Sequence, residues 1–182
     1  MNESDCRRIE LTRLRADWES NRGYPKARLI LIIFRLGRHL RRGSVLERLI
    51  ALPIRIVYRI VVEWVFAVEL PWSVEVDGGL KLEHPTGIVI HPRVRIGAGV
   101  TIKQNVTLGV RGSNLDPIGV PSIGDGCIIG SGAQIIGGIH LGVGARIGAG
   151  AVVLQNIPNG ATAVGNPARI IPRHPGAPSE DK

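Results

Sequence analysis

The chain has 182 residues, 44% of them hydrophobic but only 4% aromatic, with 24 glycines, two cysteines and a net charge of +8. That length supports one domain with at most a small appendage, and two cysteines exclude a disulfide framework. The polar start, MNESDCRRIE, shows no secretory signal, so the expected location is cytoplasmic.

The positive charge is uneven. Arg22 to Arg59 contains ten Lys/Arg and a single acid, Glu47, for a net +9. Such a block suits nucleic acid, anionic lipid or a phosphorylated partner. No nucleic-acid module is recognisable and few aromatics are present to stack on bases, so nucleic acid is set aside.

Residues 1–68 read as a helical segment. Ser20 or Asn21, with Pro25, punctuates the start of a run through Arg38 whose apolar face includes Leu29, Ile32, Ile33 and Leu36. Gly43-Ser44 then breaks the chain, and Ser44 with Glu47 makes a capping box for a second helix running towards Phe66, with Pro53 as a kink or late start. In this stretch Arg55, Arg59 and Glu63 form one polar stripe at i, i+4, i+8, which argues against simple membrane insertion. Two readings stay open: an amphipathic helix against a partner, or a basic helix on a membrane surface.

From Ile90 onward an apolar residue recurs every six positions: Ile90, Ile96, Ile102, Leu108, then, after a step of 15, Ile123, Ile129, Ile135, Leu141, Ile147, Val153. Neither a helix nor a flat strand repeats at six. The period marks a parallel β-helix built from hexapeptides, three to a coil, with the repeating residue inward. A glycine follows most of these rungs and is expected to provide positive φ at the corner. Four residues after each rung sits a second small or β-branched inward residue, among them Cys127, read as a buried hydrophobe. The β-helix proper is expected from about Leu80 to about Val164, in a domain spanning 69–172. The 15-residue step throws out a loop, 110–122, and a flexible tail follows at 173–182.

Of five histidines, His39, His140 and His174 read as surface groups. His84 stands in LEHPTGIVIHP, at the start of the first regular coil, where a distorted corner is expected; Glu69 and Glu83 are candidates to hold its second nitrogen. A zinc site would need three ligands. His84 and His91 are seven apart with no third histidine nearby, so no metal is expected.

The segments LEHPTGIVIHPRVRIGAGVTIKQNVTLG, IGDGCIIGSGAQIIGGIHLGVGARIGAGAVVLQNIP and VGNPARI resemble the serine acetyltransferase family of hexapeptide-repeat acyltransferases. The upstream block LTRLRADW…FRLGRHL…LIALPIRIVYRIVVEWVF resembles that family's exopolysaccharide (colanic-acid) O-acetyltransferase branch. The resemblance implies a left-handed β-helix, a homotrimer with active sites between subunits, and acetyl-CoA as co-substrate. It implies His84 as general base and Glu69, 15 residues upstream, as the carboxylate orienting it. It also implies CoA contacts at Gly109, Ser131 and Ala149. Arg169 is left between nucleotide phosphates and capping of the solenoid end. Glu83 and His91 are expected to face the acceptor.

Where serine enzymes of the family carry an Arg-His pair before the proline that re-enters the coils, this chain has Gly119 and Val120. His91-Pro92 replaces their Gly-Glu. A buried zwitterion needs charged partners. The expected acceptor is therefore a saccharide hydroxyl, free or lipid-linked, and the reading of basic residues 22–59 as a peripheral contact with the inner face of the cytoplasmic membrane fits such an acceptor. The alternative is acetyl transfer to free L-serine. A non-catalytic membrane-associated scaffold is the reading from a different class.

Overall fold

The computed structural model describes residues 3–42, 44–112 and 119–171. The middle of loop 110–122, His174 and the expected tail 173–182 lie outside the described residues.

Three helices come first: α1 (Glu3–Ser20), α2 (Pro25–Arg42) and α3 (Val45–Tyr58). α3 starts on the expected capping box, Ser44 with Glu47. It continues as a π-helical segment, Arg59–Val65, which ends with the Phe66 N–H donating to the Val61 carbonyl. Arg59 pairs with Glu63 across one turn at 3.5 Å.

The remaining chain winds into a three-sided parallel β-helix. The first sheet stacks β1 (Val68–Glu69), β4 (Ile88–Ile90), β7 (Thr107–Gly109), β10 (Gln134–Ile136) and β13 (Val152–Val153). The second stacks β2 (Glu75–Val76), β5 (Arg95–Ile96), β8 (Ser122–Ile123) and β11 (His140–Leu141). The third stacks β3 (Lys81–Leu82), β6 (Thr101–Ile102), β9 (Ile128–Ile129), β12 (Arg146–Ile147) and β14 (Thr162–Val164). The chain then turns back, and β15 (Arg169–Ile171) pairs antiparallel with β14. The ladder residues point inward and form one continuous core with the second set at Val94, Val100, Val106, Cys127, Ala133, Ala145 and Ala151. Cys127 is fully buried and burial pushes its thiol pKa up, as suits an inert packing residue.

Four expectations change. The β-helix begins a coil earlier than Leu80: β1, β2 and β3 form a first coil whose rungs are Leu70, Val76 and Leu82, all buried. An eight-residue step from Leu82 to Ile90 hides them from a six-residue count. The glycine after each rung is also not the left-handed one. Gly130 is needed for close approach, since a Cβ there would lie 2.6 Å from the Ala149 nitrogen; the positive φ belongs to Gly132, at +70°.

The third change concerns α2. Leu29 and Leu36 face solvent, while Ile30, Leu31, Phe34, Arg35 and Arg38 are buried. The fourth concerns Asn21, which does not start α2 but follows α1 and donates its side-chain amide to the Asp17 carbonyl of that helix's last turn. The same amide donates to the Leu80 carbonyl, and the Asn21 side-chain carbonyl accepts from Leu82 N–H.

One physical cause explains the last two. The first coil of a β-helix has no coil above it, so its outward backbone groups lack strand partners. Side chains of α1, α2 and the turn between them supply these. Arg35 donates to the carbonyls of Val76 and Asp77 at 2.8 and 2.7 Å, and Arg38 donates to that of Val74. Asp17 accepts from Gly79 and Leu80 N–H at 2.8 and 3.0 Å while pairing with Arg35 at 2.8 Å. The helices are a polar lid on the coil stack, and part of the basic block is internal.

Candidate active site

The corner joining the third sheet to the first is where the sequence departs most from regular winding. Regular copies of this corner place their left-handed residue at Gly87, Asn105, Gly132 and Gly150. In the first coil two extra residues enter ahead of Gly87, and His84 takes a left-handed φ of +52° as well. Histidine adopts that region far less readily than glycine. The strain turns His84 out of the inward row, and its side chain is exposed.

Stacking places Ser131 and Ala149, two of the expected co-substrate residues, on the same edge. Asn105 N–H donates to the Thr86 carbonyl, Gly132 N–H to Gln104 and Gly150 N–H to Ser131. One column therefore runs from His84 past Gln104 and Ser131 to Ala149. The Ala168 N–H donates to the Val152 carbonyl, which puts Arg169, exposed on β15, at the foot of that column. Small side chains at Ser131 and Ala149 leave the lower part of the edge open to a long, narrow ligand.

Glu69 projects from β1 to solvent. The segment bearing it overlies the end of the His84 corner, for Ile88 N–H donates to the Ala67 carbonyl. The two side chains are on the same edge, and among the described residues neither makes a side-chain hydrogen bond. His91 and Gly109 are elsewhere: both sit at the far end of the first sheet, beside the 110–122 loop, with His91 Nδ1 accepting from the Arg93 N–H at 3.3 Å. In the single chain the sheet separates them from His84.

Three residues around His84 and Glu83 escaped sequence reasoning. Tyr24, in the turn between α1 and α2, meets the imidazole edge-on with ring centroids 5.7 Å apart. Lys81 lies 5.7 Å from the same tyrosine ring and 2.6 Å from Glu83 Oε1. Lys103, one coil below, lies 3.2 Å from Glu83 Oε2. The Lys81 hydrogen bond foremost, with help from Lys103, holds the Glu83 carboxyl below the usual range against the opposing push of burial. The Leu82–Ile102 register makes the Glu83–Lys103 pair readable once the first coil is known.

The fold and this edge define a hexapeptide-repeat protein with an outward histidine on a strained corner, and comparison with known proteins agrees. The bacterial transferase hexapeptide (six repeats) family matches residues 121–155. Serine acetyltransferase 5 of Arabidopsis thaliana is 49% identical over 107 residues, 59% of this chain and 34% of its own length. The chain thus spans about a third of the length of such curated relatives. The putative colanic acid biosynthesis acetyltransferase WcaB of Escherichia coli K12 is 36% identical over 71% of this chain and 79% of its own length. Among solved structures, soybean serine acetyltransferase complexed with serine superposes with a TM-score of 0.68 at 34% identity, covering 91% of this chain and 69% of that one. A serine acetyltransferase in complex with CoA gives a TM-score of 0.72 at 27% identity, covering 93% and 72%.

The chain belongs to the serine acetyltransferase family of hexapeptide-repeat acyltransferases, and its coils form a left-handed parallel β-helix behind an N-terminal helical segment.

The expected affiliation with the exopolysaccharide branch is overturned. The Arabidopsis serine acetyltransferase matches at 49% identity against 36% for WcaB, and the two solved structures above are serine acetyltransferases, one of them holding serine. The saccharide or lipid-linked acceptor falls with it. The physical reason lies in the site: charge of both signs is present beside His84, in Lys81, Glu83 and Lys103, although Gly119 and Val120 carry none. Of the ten basic residues in 22–59 from which a peripheral membrane contact was expected, Arg35 and Arg38 are buried and serve the interior. Among the described residues no helix is long and apolar enough to cross a membrane.

Proposed function

We propose that this chain transfers the acetyl group of acetyl-CoA to the hydroxyl of free L-serine. The observation that carries this is the column itself: an outward histidine on strained backbone, flanked by charge of both signs, above a groove of small residues on one edge of the β-helix. The family's solved members bind serine in one case and CoA in another, and the groove supports the same pair here.

His84 is the general base. Its imidazole takes the proton from the serine hydroxyl as that oxygen bonds to the thioester carbonyl carbon. Collapse of the tetrahedral adduct breaks the C–S bond, and the imidazolium returns the proton to the departing CoA thiolate. The products are O-acetylserine and free CoA, and His84 ends as it began. Glu69, on the same edge, orients the ring and stabilises the imidazolium once substrates close the site. Ser131 and Ala149 line the co-substrate path, and Arg169 at its foot is placed for a nucleotide phosphate.

Release of free CoA in the presence of acetyl-CoA and L-serine tests this. Turnover is expected in the wild type, with His84→Ala lowering kcat by about 10²-fold or more. A wild type that releases no CoA with serine refutes the reading. Undiminished turnover in His84→Ala refutes the role of the base.

A further inference from the structure

We propose that Lys81 and Lys103, clamped on the two oxygens of Glu83, the residue next to His84, bind the carboxylate of the acceptor amino acid. The inference rests on the serine reading and names the residues that give it specificity.

A free amino acid carries both charges, and taking them from water requires a partner for each. The loop's return towards the coils cannot provide one at Gly119: a Cβ there would lie 2.8 Å from the Gly138 nitrogen, so no longer side chain fits without moving backbone. Val120, beside it, is apolar and packs against the core.

The third sheet does provide them. Leu82 and Ile102 point inward, so Lys81, Glu83 and Lys103 share the outward face, with Glu83 and Lys103 directly across the strand pair. Each lysine uses one contact to Glu83, and an ammonium has three donors. The Lys81 and Lys103 side chains keep 34% and 41% of their exposure, against 17% for Glu83, so the cationic heads remain reachable. Tyr24 ties the cluster to the base, since its ring touches both His84 and the Lys81 head. The cluster carries a net single positive charge in its ionised form. It offers two cations held on Glu83, the residue next to His84, one from the same strand and one from the coil below.

The test is the steady-state kinetics of Lys81→Met, Lys103→Met and the double variant, with L-serine and with serinamide, which lacks the carboxylate. The expected result is a KM for L-serine raised about tenfold or more in the double variant. The KM for acetyl-CoA should stay within about twofold, serinamide turnover should be nearly unchanged, and Lys103→Arg should restore much of the loss. An unchanged serine KM overturns the proposal. So does a rise in the acetyl-CoA KM equal to that for serine, which would place the lysines on the co-substrate instead. Melting curves of each variant separate misfolding from lost recognition, and Lys103→Arg keeps the test decisive if a methionine variant unfolds.

Direct binding of L-serine by calorimetry distinguishes this failure from failure of the underlying reading. Lysine-dependent binding without CoA release sinks the reaction and keeps the subsite. Release with no dependence on the lysines sinks the subsite and keeps the reaction.

Discussion

At His84 the backbone and the side chain answer to different demands. Two residues beyond the six-residue count displace the imidazole from the core, at the cost of a left-handed φ on a non-glycine residue. The neighbouring Glu83 has a measurable electrostatic signature. Its folded pKa is depressed by Lys81 and Lys103, so the carboxylate contributes stability above its unfolded pKa and loses it as pH falls through the lower folded value. Melting temperatures of wild type and Glu83→Gln should differ most near neutrality and converge in acid, below the ordinary glutamate range. A gap that widens on acidification would contradict the ion pairs. Gly130 tests the other kind of corner residue. Gly130→Ala puts a methyl against the Ala149 backbone, 2.6 Å away, so stability should fall by about 1–3 kcal/mol in denaturant titration.

Within single elements, α2 shows how a helix can bury charge usefully. Arg35 is 2% exposed, yet its guanidinium meets Asp17 and two carbonyls of the first coil. Burial pushes the Asp17 pKa up, while Arg35 and the Leu80 and Gly79 N–H groups pull it down. Removing one partner leaves the other charge buried, so Arg35→Met is expected to cost about 3–5 kcal/mol. Asp17→Asn with Arg35→Met should cost less than the sum of the two single changes, because they share one interaction. Additive losses in urea titration would show that the pair is not coupled.

For the whole molecule, the helices and the β-helix depend on each other through unpaired strand edges. Seven first-coil backbone groups are served by side chains of α1, α2 and, through Asn21, the turn between them: the carbonyls of Val74, Val76, Asp77 and Leu80 and the N–H groups of Gly79, Leu80 and Leu82. A chain lacking residues 1–44 would expose that open edge, and loss of soluble protein or of a cooperative thermal transition is expected. A soluble truncated β-helix with an unchanged melting temperature would show that the lid is dispensable. The same lid brings Tyr24 to His84, so the helical layer and the site are one assembly.

The architecture was legible because hexapeptide winding is local. Each rung, its small companion and its corner glycine lie within a few residues, so the period exposes the inward row directly. The stacked positions Gln104, Ser131 and Ala149 follow from the same count, through repeats of 18 and the 27 that spans the loop, whereas His84 joins them only across the eight-residue step. The acceptor is misread from the sequence because Gly119 and Val120 carry no charge in the loop, whereas Lys81, Glu83 and Lys103 carry it on the third sheet. Those three meet only after a first coil, hidden by an eight-residue step, is paired with the second. The burial of Arg35 and Arg38 was equally invisible, since composition counts a cation as surface until an open carbonyl edge is brought against it. Local periodicity specifies which residues face inward; contacts between distant segments specify which charges survive at the surface, and that is a property of the folded chain.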